Sequence, residues 1–269
     1  ALRDVAGRLL VELGATEDIA SDVASSLVTA DLEGHTSHGV LRIPTYGEMI
    51  EDDALDPTAR PKQVRDDGVV ATVDGQYAFG QVVGRRASDI LIETATREGL
   101  AGVGIRNATH LGRVGEWAER VAEAELLFGS FVNTSGGGLI VAPAGSTTRR
   151  FSTNPLTFGV PTFDRVPFPL ILDMASSQVA QGKLFEYEAE GRAIPEEWGV
   201  FTDGEPMTDP AEAADAVRAL DAFDAHPAAL GDDATLREFF EVGGAELAAA
   251  DGDLAGLVRE RVALLVVER

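Results

Sequence analysis

The sequence predicts an α/β fold: a mixed sheet flanked by helices, preceded by a helical segment. Three observations carry that expectation. Residues 1–60 place apolar side chains at helical spacing between glycine stops, and short alternating runs then appear between Asp-Gly turns. From residue 84 onward helix and strand patterns alternate, an order that makes part of the sheet parallel.

Residues 1–13 read as a helix stopping at Gly14, and Thr16-Glu17-Asp18 opens a second helix that runs to Leu32 and ends at Gly34. Residues 40–50 are expected to form a short helix broken near Pro44. Residues 62–65 and 69–73 flank Asp66-Asp67-Gly68 as a hairpin, and Asp74-Gly75 turns the chain again. A helix over 84–97 closed by Gly99, a strand over 100–105, a helix over 114–124 and a strand over 127–132 follow. Beyond Gly136-Gly137-Gly138, loops marked by Pro143, Gly145, Asn154-Pro155 and Pro161 separate strands at 156–160 and 170–172. Residues 176–190 then read as a helix ending at Gly191. From Ala211 the composition turns to Ala, Asp, Glu and Leu, which reads as two or three acidic helices without recognisable chemistry. The chain thus divides into a helical segment at 1–60 with the first histidine motif, an α/β core at 61–210 and an atypical acidic tail at 211–269.

A chain of 269 residues holds one large or two medium domains with a proper core. Its formal charge is −23, from 45 acidic and 22 basic residues, and only Lys62 and Lys183 among the bases are lysines. Such a field repels phosphate backbones and anionic lipid, so nucleic acid and membrane surfaces are poor partners. No run is apolar enough to span a bilayer and no leader pattern opens the chain, so a cytoplasmic protein is expected. An acidic surface with arginine in place of lysine fits adaptation to high salt, where counterions screen carboxylate repulsion; an ordinary acidic protein from a GC-rich genome has the same composition. Without cysteine, disulfides, thiolate metal sites and thiol nucleophiles are excluded.

Two of the four histidines, His35 and His38, share the segment Glu33-Gly34-His35-Thr36-Ser37-His38-Gly39-Val40-Leu41-Arg42. Histidine exchanges protons near neutral pH. Arginine matches a carboxylate with two parallel hydrogen bonds. Together with the Ser37 hydroxyl they make a kit for acid–base chemistry on a carboxylate, although a polar helix end with capping histidines fits the segment as well. His110, in Asn107-Ala108-Thr109-His110-Leu111-Gly112, stands where a strand ends and a helix begins, a place where open α/β sheets bind ligands. Gly102-Val103-Gly104 lacks the third glycine of the dinucleotide fingerprint, Asn107 standing there, so a standard Rossmann site is rejected. Gly136-Gly137-Gly138 reads as a flexible turn rather than a ligand-cradling loop. His35-Thr36-Ser37-His38 lacks the spacing and glutamate of a helical zinc motif, and no metal is expected.

Ser37-His38-Gly39-Val40 with Arg42 and Tyr46, Asn107-x-x-His110-x-Gly112, Val141-Ala142-Pro143, Thr153-Asn154-Pro155, Asp173-Met174-Ala175-Ser176, Gly182-Lys183, Gly191 with Pro195, and Asp209-Pro210 occur in that order. The series resembles the malate/L-lactate dehydrogenase type 2 family, which includes sulfolactate, ureidoglycolate and diketogulonate oxidoreductases, over about residues 1–211. The resemblance implies an NAD- or NADP-binding fold without a standard Rossmann domain, and a homodimer. It implies His38 and His110 as proton donor or acceptor, Ser37 beside the reacting oxygen and Arg42 on the substrate carboxylate. Thr134, Asp173, Met174 and Ala175 match positions that contact the nicotinamide cofactor, and Lys183 lies on the helix after them.

The expected activity is interconversion of a small 2-hydroxy acid (malate-, lactate- or sulfolactate-like) and its 2-oxo acid. A cyclic imino acid reductase, with C=N in place of C=O beside a carboxylate, is the alternative within the family. An inactive carboxylate-binding remnant is the alternative outside catalysis, and a metal-dependent hydrolase is a more distant one. Beyond Asp209-Pro210 family members continue into a glycine-rich, lysine-bearing stretch and a long apolar helix. Here residues 211–269 follow another pattern, an atypical or truncated C-terminal part that implies fewer cofactor contacts.

Overall fold

The computed structural model describes residues 1–133, 140–163, 165–201, 203–221 and 262–267. Three helices come first: α1 (Leu2–Glu12), α2 (Glu17–Leu32) and α3 (Ile43–Glu51). Their apolar faces meet in one buried cluster that includes Leu10, Ile19, Val23, Leu27, Tyr46 and Phe79. Pro44 does not break the third helix as expected; it occupies the first turn of α3, after a 3₁₀ turn at Val40–Arg42. Proline is tolerated there because the first-turn N–H groups have no partner within the helix.

The hairpin is formed by β1 (Lys62–Asp66) and β2 (Val70–Asp74), paired antiparallel. After it come α4 (Gly80–Glu98), β3 (Leu100–Arg106), α5 (Gly115–Glu123), β4 (Leu127–Val132), β5 (Leu156–Val160) and β6 (Leu170–Met174). Gly99 closes α4 in the left-handed region at φ 85°, as its sequence position predicts. The other end of α4 begins four residues before the expected start. Its cap is supplied from a distance: the Gly80 N–H donates to Thr109 Oγ1 at 3.0 Å, a partner that local sequence does not reveal.

α6 (Gln181–Glu190) starts later than expected, and α7 (Pro210–Asp221) follows it. Residues 176–180 are instead drawn into a loop by Ser176, whose N–H donates to the Thr153 carbonyl at 2.9 Å. The expectation of an all-helical tail is overturned by β7 (Val262–Val267). Val-Ala-Leu-Leu-Val-Val is a continuous apolar run, the pattern of a parallel strand with both faces covered.

β7 stands fourth in a seven-stranded sheet of order β1-β2-β3-β7-β4-β5-β6. It pairs parallel to both β3 and β4, and β2 is parallel to β3, while the outer pairs are antiparallel. One face of this mixed sheet packs beneath α4 and α5. Val73, Val103, Ile105, Leu91, Trp117, Val121 and Phe128 share the buried cluster there, with strand members at the alternate positions that a pleat requires. On the other face Phe131, Phe158, Leu170, Leu172 and Met174 remain exposed. Among the described residues no helix is long and apolar enough to cross a membrane.

Candidate active site

Residues 36–42 leave α2 as two successive 3₁₀ turns, Thr36–His38 and Val40–Arg42. Asp31, near the end of α2, holds this segment by accepting the Val40 N–H at 3.0 Å. Gly39 is required because a Cβ at that position would collide with the Asp31 carboxylate. Arg42 folds back so that Nε donates to the Ser37 carbonyl at 2.6 Å. The Ser37 hydroxyl lies 3.0 Å from His38 Nδ1.

The loop after β3 is clamped just as firmly to the start of α4. Thr109 Oγ1 accepts the Gly80 N–H and donates to the Ala78 carbonyl at 2.8 Å, while the Tyr77 N–H donates to the Asn107 carbonyl at 2.8 Å. A Cβ at Gly80 would collide with the His110 carbonyl. This close approach places His110 over the first segment. The His38 and His110 rings stack with centroids 5.2 Å apart and planes inclined by 25°, although 72 positions separate them in sequence.

Tyr46, on α3, places its hydroxyl 2.9 Å from His110 Nδ1 and accepts a hydrogen bond from Gln81 Nε2 at 2.7 Å. Both side chains are buried. His38 is pushed down to about 4 by burial, then by the positive charge of Arg42, while Asp173 pulls in the opposite direction. His38 is therefore neutral at pH 7, the state needed to accept a proton. His35 lies apart from the stack, exposed, its Nδ1 3.2 Å from the Glu33 carbonyl.

Asp173, at the end region of β6, accepts the Gly115 N–H at 2.7 Å and the Thr157 hydroxyl proton at 2.9 Å. Its carboxylate thereby satisfies a donor at the N-terminus of α5, where negative charge is favoured. Met174 is exposed, Ala175 half-buried, and Lys183 pairs with Glu186 at 2.7 Å on the surface of α6. Gly182 brings that helix against the first histidine segment: its added Cβ would lie 2.5 Å from the Ser37 Cβ. Thr134 and Gly136-Gly137-Gly138 lie outside the described residues.

A cavity of about 380 Å³ is lined by residues 141–144, Phe151, Ser152, Asn154, Ser176 and Ser177, a size typical of small-molecule pockets. The Asn154 Oδ1 is buried without a hydrogen-bond partner. Among the described residues no group of three or more His, Asp or Glu side chains is placed to hold a metal ion.

Three residues near the site escape sequence reasoning. Gln81 is one polar residue on the buried face of a long helix, with no local signal. Arg113 is buried, with both terminal nitrogens donating to Glu119 at 2.7 Å. Glu116 is pushed up by burial although Ser26 donates to it. An Arg and two Glu beside a loop read in sequence as an ordinary charged helix start.

The malate/L-lactate dehydrogenase family model matches residues 1–227. The chain is 38% identical over 198 residues to a malate dehydrogenase of Pyrococcus abyssi, covering 74% of this chain and 53% of that protein. It is 35% identical over 228 residues to an L-lactate dehydrogenase of Cupriavidus necator, covering 85% of this chain and 62% of that one. Among solved structures, the Δ1-piperideine-2-carboxylate reductase of Pseudomonas syringae pv. tomato superposes with a TM-score of 0.70 at 26% identity, covering 83% of this chain and 70% of that one. The chain thus spans a little over half the length of the curated relatives it matches. The match runs through both histidine segments and every strand up to β6, and the chain belongs to the malate/L-lactate dehydrogenase family.

Proposed function

We propose that this chain carries the catalytic residues of an NAD(P)-dependent oxidoreductase that interconverts a small 2-hydroxy acid and its 2-oxo acid. The observation that carries this reading is the stack of His38 on His110 at 5.2 Å, beside Ser37 and Arg42. Two imidazoles and a guanidinium at one point suit a substrate whose reacting oxygen neighbours a carboxylate.

In the oxidation direction the substrate O–H bond breaks and neutral His38 takes the proton. Ser37 engages His38 Nδ1, which assigns Nε2 to that transfer. Arg42 holds the carboxylate by its terminal nitrogens, its Nε being committed to the Ser37 carbonyl. A nicotinamide held beside the carbinol carbon would supply the hydride acceptor for oxidation and the hydride donor for the reverse reaction. The cavity beside Asn154 fits such a group: the buried Oδ1 without a partner is an acceptor suited to an amide N–H. Met174, Ala175 and Lys183 lie on the same stretch of chain, and Asp173 ties that stretch to α5.

A second reading is reduction of a cyclic imino acid, favoured by the likeness to the piperideine-2-carboxylate reductase. The same donor pair would then serve C=N beside a carboxylate. The test is a panel of 2-oxo acids and cyclic imino acids assayed for NADH and NADPH oxidation, at low and molar salt. Turnover of a 2-oxo acid supports the first reading, and turnover of imino acids alone moves the chain to the second. Absence of turnover at every salt, together with no binding of NADH or NADPH in a fluorescence titration, removes both.

A further inference from the structure

We propose that Asp74 is a positioning residue for His110: its buried carboxylate locks the loop after β3 onto the turn before α4 and so decides where the imidazole stands. This deepens the oxidoreductase reading and rests on it for the role of His110, though not for the hold on the loop.

β2 and β3 run parallel and end side by side, with Asp74 opposite Arg106. From there the two segments part, one into the turn before α4 and the other into the loop that carries His110. Asp74 is 6% exposed, and a carboxylate so deep is costly unless donors surround it. Its Oδ1 accepts the Gln76 N–H at 3.0 Å within its own turn. Asn107 Nδ2 donates from 3.2 Å to each carboxylate oxygen, and Arg106 Nε donates to Oδ2 at 3.2 Å. Burial pushes the Asp74 carboxyl up, but the hydrogen bonds from Gln76 and Asn107 and the charge of Arg106 outweigh it and hold it below the usual carboxylate range. Asp74 is therefore ionised at neutral pH, an acceptor toward each of these donors.

The backbone around this carboxylate is strained. Gln76, Tyr77 and Asn107 stand at φ 54°, 55° and 52°, in the left-handed region that side chains disfavour. Such positions persist where their surroundings over-determine them, and they gather at functional sites. Here the surroundings are two interlocked turns. The Gly75 N–H donates to the Arg106 carbonyl at 2.8 Å, and a Cβ at Gly75 would lie 2.6 Å from the Asn107 carbonyl oxygen. His110 follows three residues after Asn107. The loop is thus anchored at Asn107 by Asp74 and at Thr109 by the start of α4, which keeps the ring it carries in place on His38. Arg42 and the cavity beside Asn154 belong to other segments, so the loss of Asp74 falls on His110.

The experiment is ¹H–¹³C correlation NMR of the histidine rings in the full chain without substrate or cofactor, with the His110 and His38 signals identified by their loss in His110→Gln and His38→Gln. In Asp74→Asn, which sets an amide where acceptors are needed, the His110 signal should shift or split, and that of its stacking partner His38 with it, while exposed His35 is unmoved. Asn107→Gly is the second variant. Glycine takes the left-handed conformation freely, so this chain should fold, yet its tether to Asp74 is gone, and the same signals should move. In steady state both variants should lower kcat on the order of tenfold or more, while KM for the 2-oxo acid shifts much less because the Arg42 segment is unaltered. Should Asp74→Asn fail to fold, Asn107→Gly decides. Wild-type His110 signals in either folded variant overturn the proposal, as does a His35 signal that moves as far as that of His110, the mark of general loosening. If no substrate turns over, the oxidoreductase reading falls, and the ring signals alone decide the role of Asp74.

Discussion

Residues 1–128 bury two apolar clusters, one among α1–α3 and one between the sheet and α4 and α5. Beyond Phe128, among the residues whose side chains are described, the buried hydrophobic ones are Ile194, Ala213 and Ala214. The first region holds His38, Arg42, Tyr46, Gln81 and His110; the second holds Asp173, Met174, Ala175, Lys183 and the cavity beside Asn154. Hydrogen-bonding geometry for acid–base chemistry is thus set within a packed core that can hold side chains to fractions of an ångström. The side proposed for the cofactor is built of strands β5 and β6, whose outward residues stay exposed, and of α6. It joins the core through the β4–β5 ladder, through the close approach of Gly159 to Ala118 on α5, and at Asp173 on Gly115 and Gly182 on Ser37. The residues proposed for proton transfer thus sit on the better packed side, and the region proposed for the cofactor presents more of its described apolar side chains to solvent.

The sharpest way to test that contrast is activity. His38→Asn and His110→Asn should each lower kcat by ~10²–10⁴-fold, the range for a positioned acid–base group. Lys183→Ala, at an exposed residue paired with Glu186 in its own helix, should instead raise the KM for cofactor by about tenfold or less. Steady-state kinetics on the three variants decide it; a Lys183 effect on kcat as large as the histidine effects would erase the division between the two regions.

Stability separates the regions in the same sense. Leu27, fully buried in the helical cluster, should cost about 2–5 kcal/mol when changed to Ala. Leu172, 48% exposed on β6, should stay within about 0.5 kcal/mol. Urea denaturation of Leu27→Ala and Leu172→Ala gives both numbers, and an equal loss would mean that the outer face of β6 is covered.

A third variant probes the junction between core and site. Gly80→Ala drives a methyl into the His110 carbonyl, and backbone cannot rotate away as a side chain can. It should cost about 1–3 kcal/mol and also reduce kcat. A variant with native stability and full activity would show that the clamp on His110 is slack.

The smallest effect is on pH dependence. His38 titrates near 4 in the folded chain against an ordinary 6.5, so between these values the unfolded chain binds the proton more readily. Its contribution is present above about 6.5 and is lost as pH falls toward 4. The slope from one such group is at most ~1.4 kcal/mol per pH unit. Replacing His38 by Asn should flatten the stability curve in that window, as measured by urea titrations at stepped pH; an unchanged slope would place the His38 ring in open solvent.

Much of the frame was legible beforehand because it rests on local rules. The β1–β2 hairpin follows from alternation around Asp66-Asp67-Gly68, and β4 and β5 stand at their expected residues. Gly99 and Gly191 end their helices in left-handed conformations, where a side chain would be strained. The ordered motifs from Ser37 to Pro210 were enough to name the family. They also singled out His38, His110 and Arg42, residue types whose chemistry is intrinsic to the side chain.

What local pattern left open was decided by contacts between distant segments. α4 begins at Gly80 because Thr109 caps it and His110 presses on it. Residues 176–180 leave the helix because the Thr153 carbonyl claims the Ser176 N–H. Val262–Val267 becomes a strand because β3 and β4 offer it a place between them. Sequence alone determined the mixed α/β class and the family, and it nominated the candidate reactive side chains. Only the tertiary structure decided that His38 and His110 stack, that Gln81 and Tyr46 stand behind them, and that His38 is neutral, because burial, charge and hydrogen-bond direction arise only once segments far apart in the chain are packed together.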